Sequence, residues 1–501
     1  MNSGIQHVGF VISILLSLIV FQPTLISGAD LVIIAGSIYT LDPQMSTAEA
    51  VAVSAGRIAY VGSKLGAEKY ISAETVVLHE ESALVLPGLT DAHAHLFSLG
   101  RSLNELNLTS TTSSAEIRQL VLEQAANLQT GSWICGRGWD QNDWQIKEFP
   151  TFRDLEGVES YPVYLRRVDG HAAWVNKTAL ELCGIDRHTL NPPGGRILRD
   201  ADGNPTGVLI DNAIELVKLH LPLPTRDERL ARTEAAIREC HRYGLTGVHD
   251  AGVDAAMLET YRELHRQGKL TLRINAVLSS EDTLWLEHCL LRGPQLEADG
   301  YLNVRSVKLY ADGALGSRGA ALLEPYSDEP GQSGLLMDRG ELYRLAHEAW
   351  EHGFQVCTHA IGDAANRMVL DVYSQVLSQN AVEDRRWRIE HAQVIALSDF
   401  ARFASLKVIP SLQPTHATSD MPWVETRLGS KRTKGAYAWR TLLELGCPFP
   451  CGSDFPVESP NPLWGIYAAV TRQDHQGHPE GGWHPEQRMT IQEAIRGFTL
   501  D

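Results

Sequence analysis

The chain has 501 residues, of which 44% are hydrophobic and 21% charged, and its formal net charge is -17. This is ordinary globular composition, with ample length for a large core. The acidic balance and the lack of any Lys/Arg run exclude a phosphate-binding stripe, so we expect no nucleic-acid partner.

The first predicted element is an apolar stretch over residues 8–21, followed by small residues. It predicts that residues 1–29 form a signal peptide cleaved before Asp30, or an uncleaved signal anchor. Either reading places the body of the protein in the secretory pathway: in the ER lumen, anchored to a membrane by its N-terminus, or secreted. Two sequons, at Asn107 and Asn176, then become candidate glycosylation sites. The seven cysteines are odd in number and do not imply a complete disulfide framework.

A small β domain is predicted for residues 30–83. Turn residues separate four short apolar runs there, and this spacing indicates strands rather than helices. The predicted strands cover residues 31–34, 38–41, 50–53 and 57–61, with Gly36 as the first turn.

Strand and helix patterns alternate over residues 84–501, which predicts an α/β (β/α)8 TIM-like barrel. The predicted barrel strands cover residues 84–90, 245–249, 272–278, 304–310, 354–359, 387–391, 408–412 and 447–454. A ninth candidate, 161–168, lies in a Gly-, Pro- and Trp-rich stretch. We therefore assign residues 101–224 to a large insertion after the first barrel strand. Capping boxes that begin at Ser113, Thr225 and Thr490 predict helix starts.

The first barrel strand ends in Asp91, Ala92, His93, Ala94 and His95. Alternate side chains of a strand share a face, so His93 and His95 can point at one ion. Asp91 is a candidate to orient one imidazole. A structural role is the usual explanation for a lone histidine, but two at this spacing after an apolar strand favour metal.

Lys308 lies in an otherwise apolar strand, where an unpaired ammonium is unfavourable. A buried ion pair with Asp312 is the simple explanation. The alternative is carbamylation of a desolvated amine, which gives a carboxylate able to bridge two cations.

Three further polar residues follow apolar runs, namely His359, His391 and Asp454. Each alone is equally well explained as a core histidine or a turn aspartate. Together they predict a second nitrogen-rich metal site and a carboxylate that binds an ion and takes a proton from water.

These motifs resemble the amidohydrolase superfamily, within it the group that includes N-substituted formamide deformylases, over nearly all of the chain after residue 29. The resembling stretches are Gly138-Trp139-Asp140, Asp169-Gly170-His171, Lys308 through Gly319, His359 through Asp363, Glu390-His391-Ala392-Gln393, Gln413 through His416, and Gly452 through Pro456. The combination is specific, whereas each stretch alone is not.

The resemblance implies two divalent cations, most simply zinc, and a carbamate on Lys308 that bridges them. His93, His95 and Asp454 hold one cation, and His359 and His391 hold the other. His171 and His416 are the implied substrate-side residues, with His171 also catalytic. Trp139 and Arg318 are further substrate-binding candidates; Trp139 would form part of an aromatic pocket wall, although tryptophans also fill protein cores. Family chains continue past residue 501 and complete the small domain, so we expect an incomplete β-sandwich here.

The sequence therefore predicts a binuclear hydrolase that uses metal-activated hydroxide on the carbon–nitrogen bond of a small amide or formamide. Two alternatives stay open: a mononuclear deaminase-like hydrolase, and a regulatory signalling protein that retains the site without turnover. A homodimer is compatible with the sequence.

Overall fold

The structure is a computed structural model that describes residues 28–501, except residues 43, 45, 142–143, 169, 171, 193–194 and 379–384. The chain divides into two compact units between Pro87 and Gly88. Almost all of the predicted signal or anchor segment lies outside the described residues. Within those residues, no helix combines the length and apolarity needed to cross a membrane.

The first unit is a four-stranded sheet with the strand order β3-β2-β1-β4. Its elements are β1 (Leu31–Tyr39), β2 (Thr47–Ser54), β3 (Arg57–Gly62), α1 (Lys64–Ala67), a 3-10 turn (Glu68–Tyr70) and β4 (Val76–Val85). The predicted turn at Gly36 is wrong, because β1 runs through it. Its register with β4 shifts between Ala35 and Ser37, so the glycine marks an irregularity inside one strand.

The second unit begins with one barrel strand, a short helix and then an insertion with its own sheet. These elements are β5 (Leu89–Ala94), α2 (Leu96–Ser102), β6 (Leu106–Asn107), α3 (Ser114–Ala125), β7 (Ile134–Trp139), β8 (Val163–Arg167), β9 (Ala172–Val175), α4 (Lys177–Leu182), β10 (Gly195–Arg199), β11 (Pro205–Asp211) and α5 (Glu215–Lys218). The insertion sheet has the order β10-β11-β9-β8-β7-β6. The ninth candidate strand of the sequence is β8, which belongs to this sheet and not to the barrel.

Strands and helices then alternate to the end of the chain. These elements are α6 (Arg226–Arg242), β12 (Leu245–Val253), α7 (Ala255–Arg266), β13 (Arg273–Ser279), α8 (Thr283–Arg292), β14 (Gln295–Leu296), β15 (Leu302–Tyr310), α9 (Arg339–Glu351), β16 (Gln355–Ala360), α10 (Asp363–Leu377), β17 (Arg388–His391), α11 (Phe400–Leu406), β18 (Ile409–Ser411), α12 (Pro414–Asp420), α13 (Val424–Thr433), α14 (Trp439–Glu444), α15 (Pro462–Thr471) and α16 (Ile491–Gly497). The capping boxes at Thr225 and Thr490 are confirmed at the starts of α6 and α16.

The barrel sheet runs in the order β18-β17-β16-β15-β13-β12-β5, and every neighbouring pair is parallel. Residues 450–454, the closing segment, fill the remaining gap without forming a regular strand. The main chain of Leu412 bonds to Pro450 and Gly452 on one side, while Ala92 donates to Cys451 and Asp454 donates to His93 on the other. The predicted α/β barrel is thus confirmed.

Candidate metal centre

The end of β5 is joined to the closing segment by a buried carboxylate. Asp91 accepts hydrogen bonds from the main-chain N–H of His93 at 3.0 Å and from the hydroxyl of Ser453 at 2.6 Å. Burial raises the pKa of Asp91 to about 7. Among the described residues Asp91 bonds no imidazole, contrary to the role predicted from the sequence. It fixes the main chain that carries His93.

The imidazole of His93 is oriented by Glu390, which the sequence analysis missed as a functional group. Nδ1 of His93 lies 2.5 Å from the carboxylate of Glu390, and both side chains are buried. Such a bond fixes the tautomer and leaves Nε2 free for a ligand. Burial lowers the pKa of His93 to about 4, so the ring is neutral near pH 7.

Arg388 holds Glu390 in its charged form. Its Nε donates to one carboxylate oxygen at 2.8 Å and its Nη2 to the other at 2.9 Å. Burial would raise the pKa of Glu390, but Arg388 and His93 bring it well below the ordinary value. The three residues form a connected row, called here the Arg388–Glu390–His93 row. Alternate positions on β17 could have suggested it, because Arg388 and Glu390 share a strand face.

His95 and Asp454 meet beside His93. Nδ1 of His95 lies 2.8 Å from the carbonyl oxygen of Ala251, and its Nε2 lies 3.0 Å from the carboxylate of Asp454. The same carboxylate oxygen is 3.6 Å from Nε2 of His93. Burial opposes the charge on Asp454, yet these histidines keep the pKa of its carboxyl well below the usual range.

The main chain adopts the left-handed conformation at Asp454, where φ is 59°, and at His391, where φ is 71°. Residues other than glycine rarely adopt this conformation, and it concentrates at functional sites.

His359 and His391 lie on neighbouring strands with ring centroids 4.6 Å apart, and His391 is 5.0 Å from His93. Burial lowers the pKa of His359 to about 3 and that of His391 well below its ordinary value. Both rings are therefore neutral and can act as ligands.

Lys308 lies in register with Cys357 on the adjacent strand and is 1% exposed. Desolvation lowers the pKa of its ammonium group. The predicted alternative, an ion pair with Asp312, does not occur in the described part of the chain. Asp312 instead accepts main-chain N–H groups from Ala321, Ile361 and Gly362. Its carboxylate lies 3.5 Å from Nε2 of His359.

These donors fit a divalent cation. Ligand atoms of His93, His391 and Asp454 all lie within 4.8 Å of one another. Nε2 of His359 and Nδ1 of His391 are buried and have no hydrogen-bond partner among the described residues. Buried nitrogens are rarely left unpaired, and a cation would satisfy them.

A family model described as "Amidohydrolase family" matches residues 81–501. The chain belongs to this family. Its members are metal-dependent hydrolases, which agrees with the donor set at the barrel mouth.

Individual relatives cover most of the chain. The putative amidohydrolase YtcJ of Bacillus subtilis is 36% identical over 93% of this chain and 88% of its own. The protein LONG AFTER FAR-RED 3 of Arabidopsis thaliana is 35% identical over 94% and 82%. The N-substituted formamide deformylase of Arthrobacter pascens is 28% identical over 94% and 88%. An uncharacterized metal-dependent hydrolase from Pyrococcus horikoshii superposes with a TM-score of 0.80 at 28% identity, covering 93% of this chain and 91% of its own.

Of the predicted substrate-side residues that the structure describes, only His416 lies against the metal centre. Its ring stacks on that of His391 with centroids 5.8 Å apart, and its Nε2 is 3.8 Å from the carboxylate of Asp454. Arg318 forms an ion pair with Asp328 at 2.9 Å, and its substrate role stays a prediction. His171 lies outside the described residues.

The prediction for Trp139 is wrong. Its side chain is fully buried in the core of the insertion, and its indole N–H donates to the carbonyl of Leu165 at 2.9 Å. It packs against Trp144 and Trp174 and presents no surface to a ligand. Sequence alone does not separate a tryptophan that lines a pocket from one that fills a core.

A polar network next to His416 was also missed. The hydroxyl of Tyr437 donates to the carboxylate of Asp420, and the carboxamide of Gln393 donates to both, at 2.5 Å to Tyr437 and 3.1 Å to Asp420. Burial raises the pKa of Asp420 to about 6. The network ties α12, which carries His416, to the loop that follows His391.

One predicted glycosylation site is excluded by the fold. The side chain of Asn176 is buried, accepts from Val163 and Ala179, and donates to Tyr161. Asn107 is exposed and stays a prediction. All seven cysteines are free.

Proposed function

We propose that the protein hydrolyses the carbon–nitrogen bond of a small amide or formamide that is not a peptide. The observation that carries this proposal is the convergence of ligand atoms from His93, His391 and Asp454 at the carboxyl ends of the barrel strands. Active sites of such barrels lie at this end.

We propose that the metal centre binds two cations. His93, His95 and Asp454 would hold one, and His359 and His391 the other, with the carbamate of Lys308 between them. When bound, such cations lower the pKa of a water molecule toward about 7 and polarise a carbonyl group.

Asp454 is the proposed proton carrier. Its carboxylate is charged at neutral pH, accepts the proton of the attacking water, and returns it to the amine that departs. The water oxygen joins the carbonyl carbon, the carbon–nitrogen bond breaks, and a carboxylic acid and an amine leave. The left-handed main chain at Asp454 aims the side chain toward His93 and His95.

His416 and His171 are proposed to hydrogen-bond the carbonyl oxygen of the substrate. The stacking of His416 on His391 supports this proposal, because a hydrogen-bond donor beside the metal centre would stabilise developing negative charge. The formamide class is supported by the name of the Arthrobacter relative.

An Asp454→Asn variant tests this function. Asparagine tolerates the same backbone conformation, so the fold should be retained while turnover of formanilide-type substrates falls by about a thousandfold or more. Metal analysis should give two cations per chain. Intact mass measured under gentle conditions should show one added carboxyl group on Lys308. Full activity in the variant would refute the role of Asp454.

One cation per chain and an unmodified Lys308 would instead favour the mononuclear, deaminase-like alternative, which the compact group of His93, His391 and Asp454 also fits. A regulatory signalling role without turnover is the other alternative. It predicts cation binding without hydrolysis of any amide tested.

A further inference from the structure

Tyr310 lies beside the metal centre, and the proposed function gives it no role. It is the last residue of β15, two positions after Lys308, so both side chains project from the same face of the strand. Nζ of Lys308 lies 5.3 Å from the centroid of the phenol ring, and the ring centroids of Tyr310 and His359 are 6.0 Å apart. The ring therefore forms part of the wall of the metal centre.

The hydroxyl of Tyr310 extends across the mouth of the barrel towards β12. A methyl group added at Gly252, near the end of β12, would lie 3.5 Å from the hydroxyl oxygen. Gly252 follows Ala251, whose carbonyl oxygen lies 2.8 Å from Nδ1 of His95. The phenol thus runs from the Lys308 side of the metal centre towards the His95 side.

The hydroxyl of Tyr310 is an unused hydrogen-bond donor. Tyr310 is half-buried, and its hydroxyl makes no hydrogen bond with any described residue. Burial raises the pKa of the phenol to about 12, so the phenol is neutral and keeps its proton.

Other tyrosines around the barrel differ from Tyr310 in this respect. Tyrosine hydroxyls in a core usually find a partner. Four buried tyrosines do so here, because each donates a hydrogen bond to a carboxylate or a carbonyl oxygen, namely Tyr261, Tyr326, Tyr373 and Tyr437. An unpaired donor at the carboxyl ends of the strands, where active sites of such barrels lie, therefore points to a ligand.

We propose, on the basis of the proposed function, that Tyr310 is a further substrate-binding residue whose hydroxyl donates a hydrogen bond to an oxygen atom of the reacting amide. Hydrolysis brings two oxygen atoms together on one carbon, the carbonyl oxygen and the oxygen of the attacking water. His416 follows β18, whereas Tyr310 extends from β15 towards β12, so these two donors face the metal centre from different sides. Each donor can therefore serve one oxygen and stabilise the negative charge that develops there.

Calorimetric titration of the zinc-loaded full chain with acetohydroxamate tests this contact without hydrolysis. Acetohydroxamate presents two neighbouring oxygen atoms to a bound cation. We expect saturable binding to the unmodified protein and about fivefold weaker binding to Tyr310→Phe, the value of one neutral hydrogen bond. Tyr39→Phe is the matched control and should bind like the unmodified protein. Tyr39 is a half-buried tyrosine of the first unit, and its hydroxyl makes no hydrogen bond with any described residue.

Zinc affinity separates a substrate contact from a structural role. Competition with a chromophoric chelator should give the same zinc affinity for Tyr310→Phe as for the unmodified protein, because the phenol is not a ligand. A loss of zinc affinity in this variant would overturn the proposal. So would equal acetohydroxamate affinity of the variant and the unmodified protein, or the absence of acetohydroxamate binding to the zinc-loaded unmodified protein.

Steady-state kinetics with formanilide give the second readout. Tyr310→Phe should lower kcat by about tenfold or more and leave KM nearly unchanged, because the second oxygen is present only during the reaction. A raised KM with an unchanged kcat would overturn the assignment of the hydroxyl to the reacting carbon. If the unmodified protein hydrolyses no amide, the proposed function fails, whereas the acetohydroxamate titration still shows whether Tyr310 contacts a ligand of the cation.

Discussion

Replacing Glu390 with glutamine should weaken both the metal centre and the fold. The substitution keeps the shape of the side chain but removes the charge that faces Arg388 and His93. Arg388 is 3% exposed, so its guanidinium would become a buried cation without a compensating carboxylate. Breaking a buried pair from one side costs about 3–5 kcal/mol. Loss of a carboxylate that orients a ligating histidine lowers cation affinity by about 10–100-fold.

Two measurements check this expectation. Urea unfolding of the chelator-stripped variant gives the loss of folding free energy, and competition with a chromophoric chelator gives the change in zinc affinity. Glu341→Gln is the matched control, because Glu341 is an exposed partner of Arg344 and should cost less than about 1 kcal/mol. If the Glu390 variant bound zinc as tightly as the unmodified protein and unfolded at the same urea concentration, the Arg388–Glu390–His93 row would have no energetic role.

Three other expectations follow. His93 and His359, whose pKa values are lowered to about 4 and about 3, stay neutral above pH 5 and need lose no proton to bind a cation. Burial opposes a charge on His95, but the carboxylate of Asp454 raises the pKa of its ring, so this ligand releases one proton when a cation binds. Zinc affinity, followed by competition titration, should therefore fall by no more than about thirtyfold from pH 7 to pH 5.5, and a fall of several thousandfold would contradict this. Gly452→Ala places a methyl group against the main-chain nitrogen of His93 and should cost about 3 kcal/mol in urea unfolding. Gly331→Ala meets no neighbour and should be neutral. Tyr437→Phe removes a hydroxyl that bonds the half-buried carboxylate of Asp420 and should lower the free energy of unfolding by about 1–3 kcal/mol; an unchanged unfolding midpoint would contradict it.

The barrel could be predicted from sequence because its strands are apolar runs with a clear alternation of helices between them. The last predicted barrel strand, however, does not form a regular strand in the structure. Residues 447–454 contain two prolines and a Gly-Ser pair, so only the main-chain bonds around Cys451 close the barrel. The turn predicted at Gly36 is also wrong because it rests on local composition alone. Local composition does not reveal that β4, 40 or more positions later in the chain, pairs with both halves of β1.

Side chains that share a strand end were predictable, whereas their partners were not. His93 and His95 stand out because two imidazoles follow one apolar strand. Glu390 was hidden beside His391, and its bond to His93 joins positions 297 apart. Trp139 shows the opposite error, since an aromatic motif residue proved to be core.

The seam of the barrel has a consequence for how the protein is made. Asp91 and Ser453 are 362 positions apart, yet their bonds join the first strand to the closing segment. Contacts so remote along the chain form late, because closing a long loop is entropically unfavourable and such topologies fold slowly. During synthesis, His93 and His95 therefore lack their final neighbours until almost the whole barrel has been translated. A cation that binds these residues would therefore stabilise the barrel only after the closing segment has folded against β5.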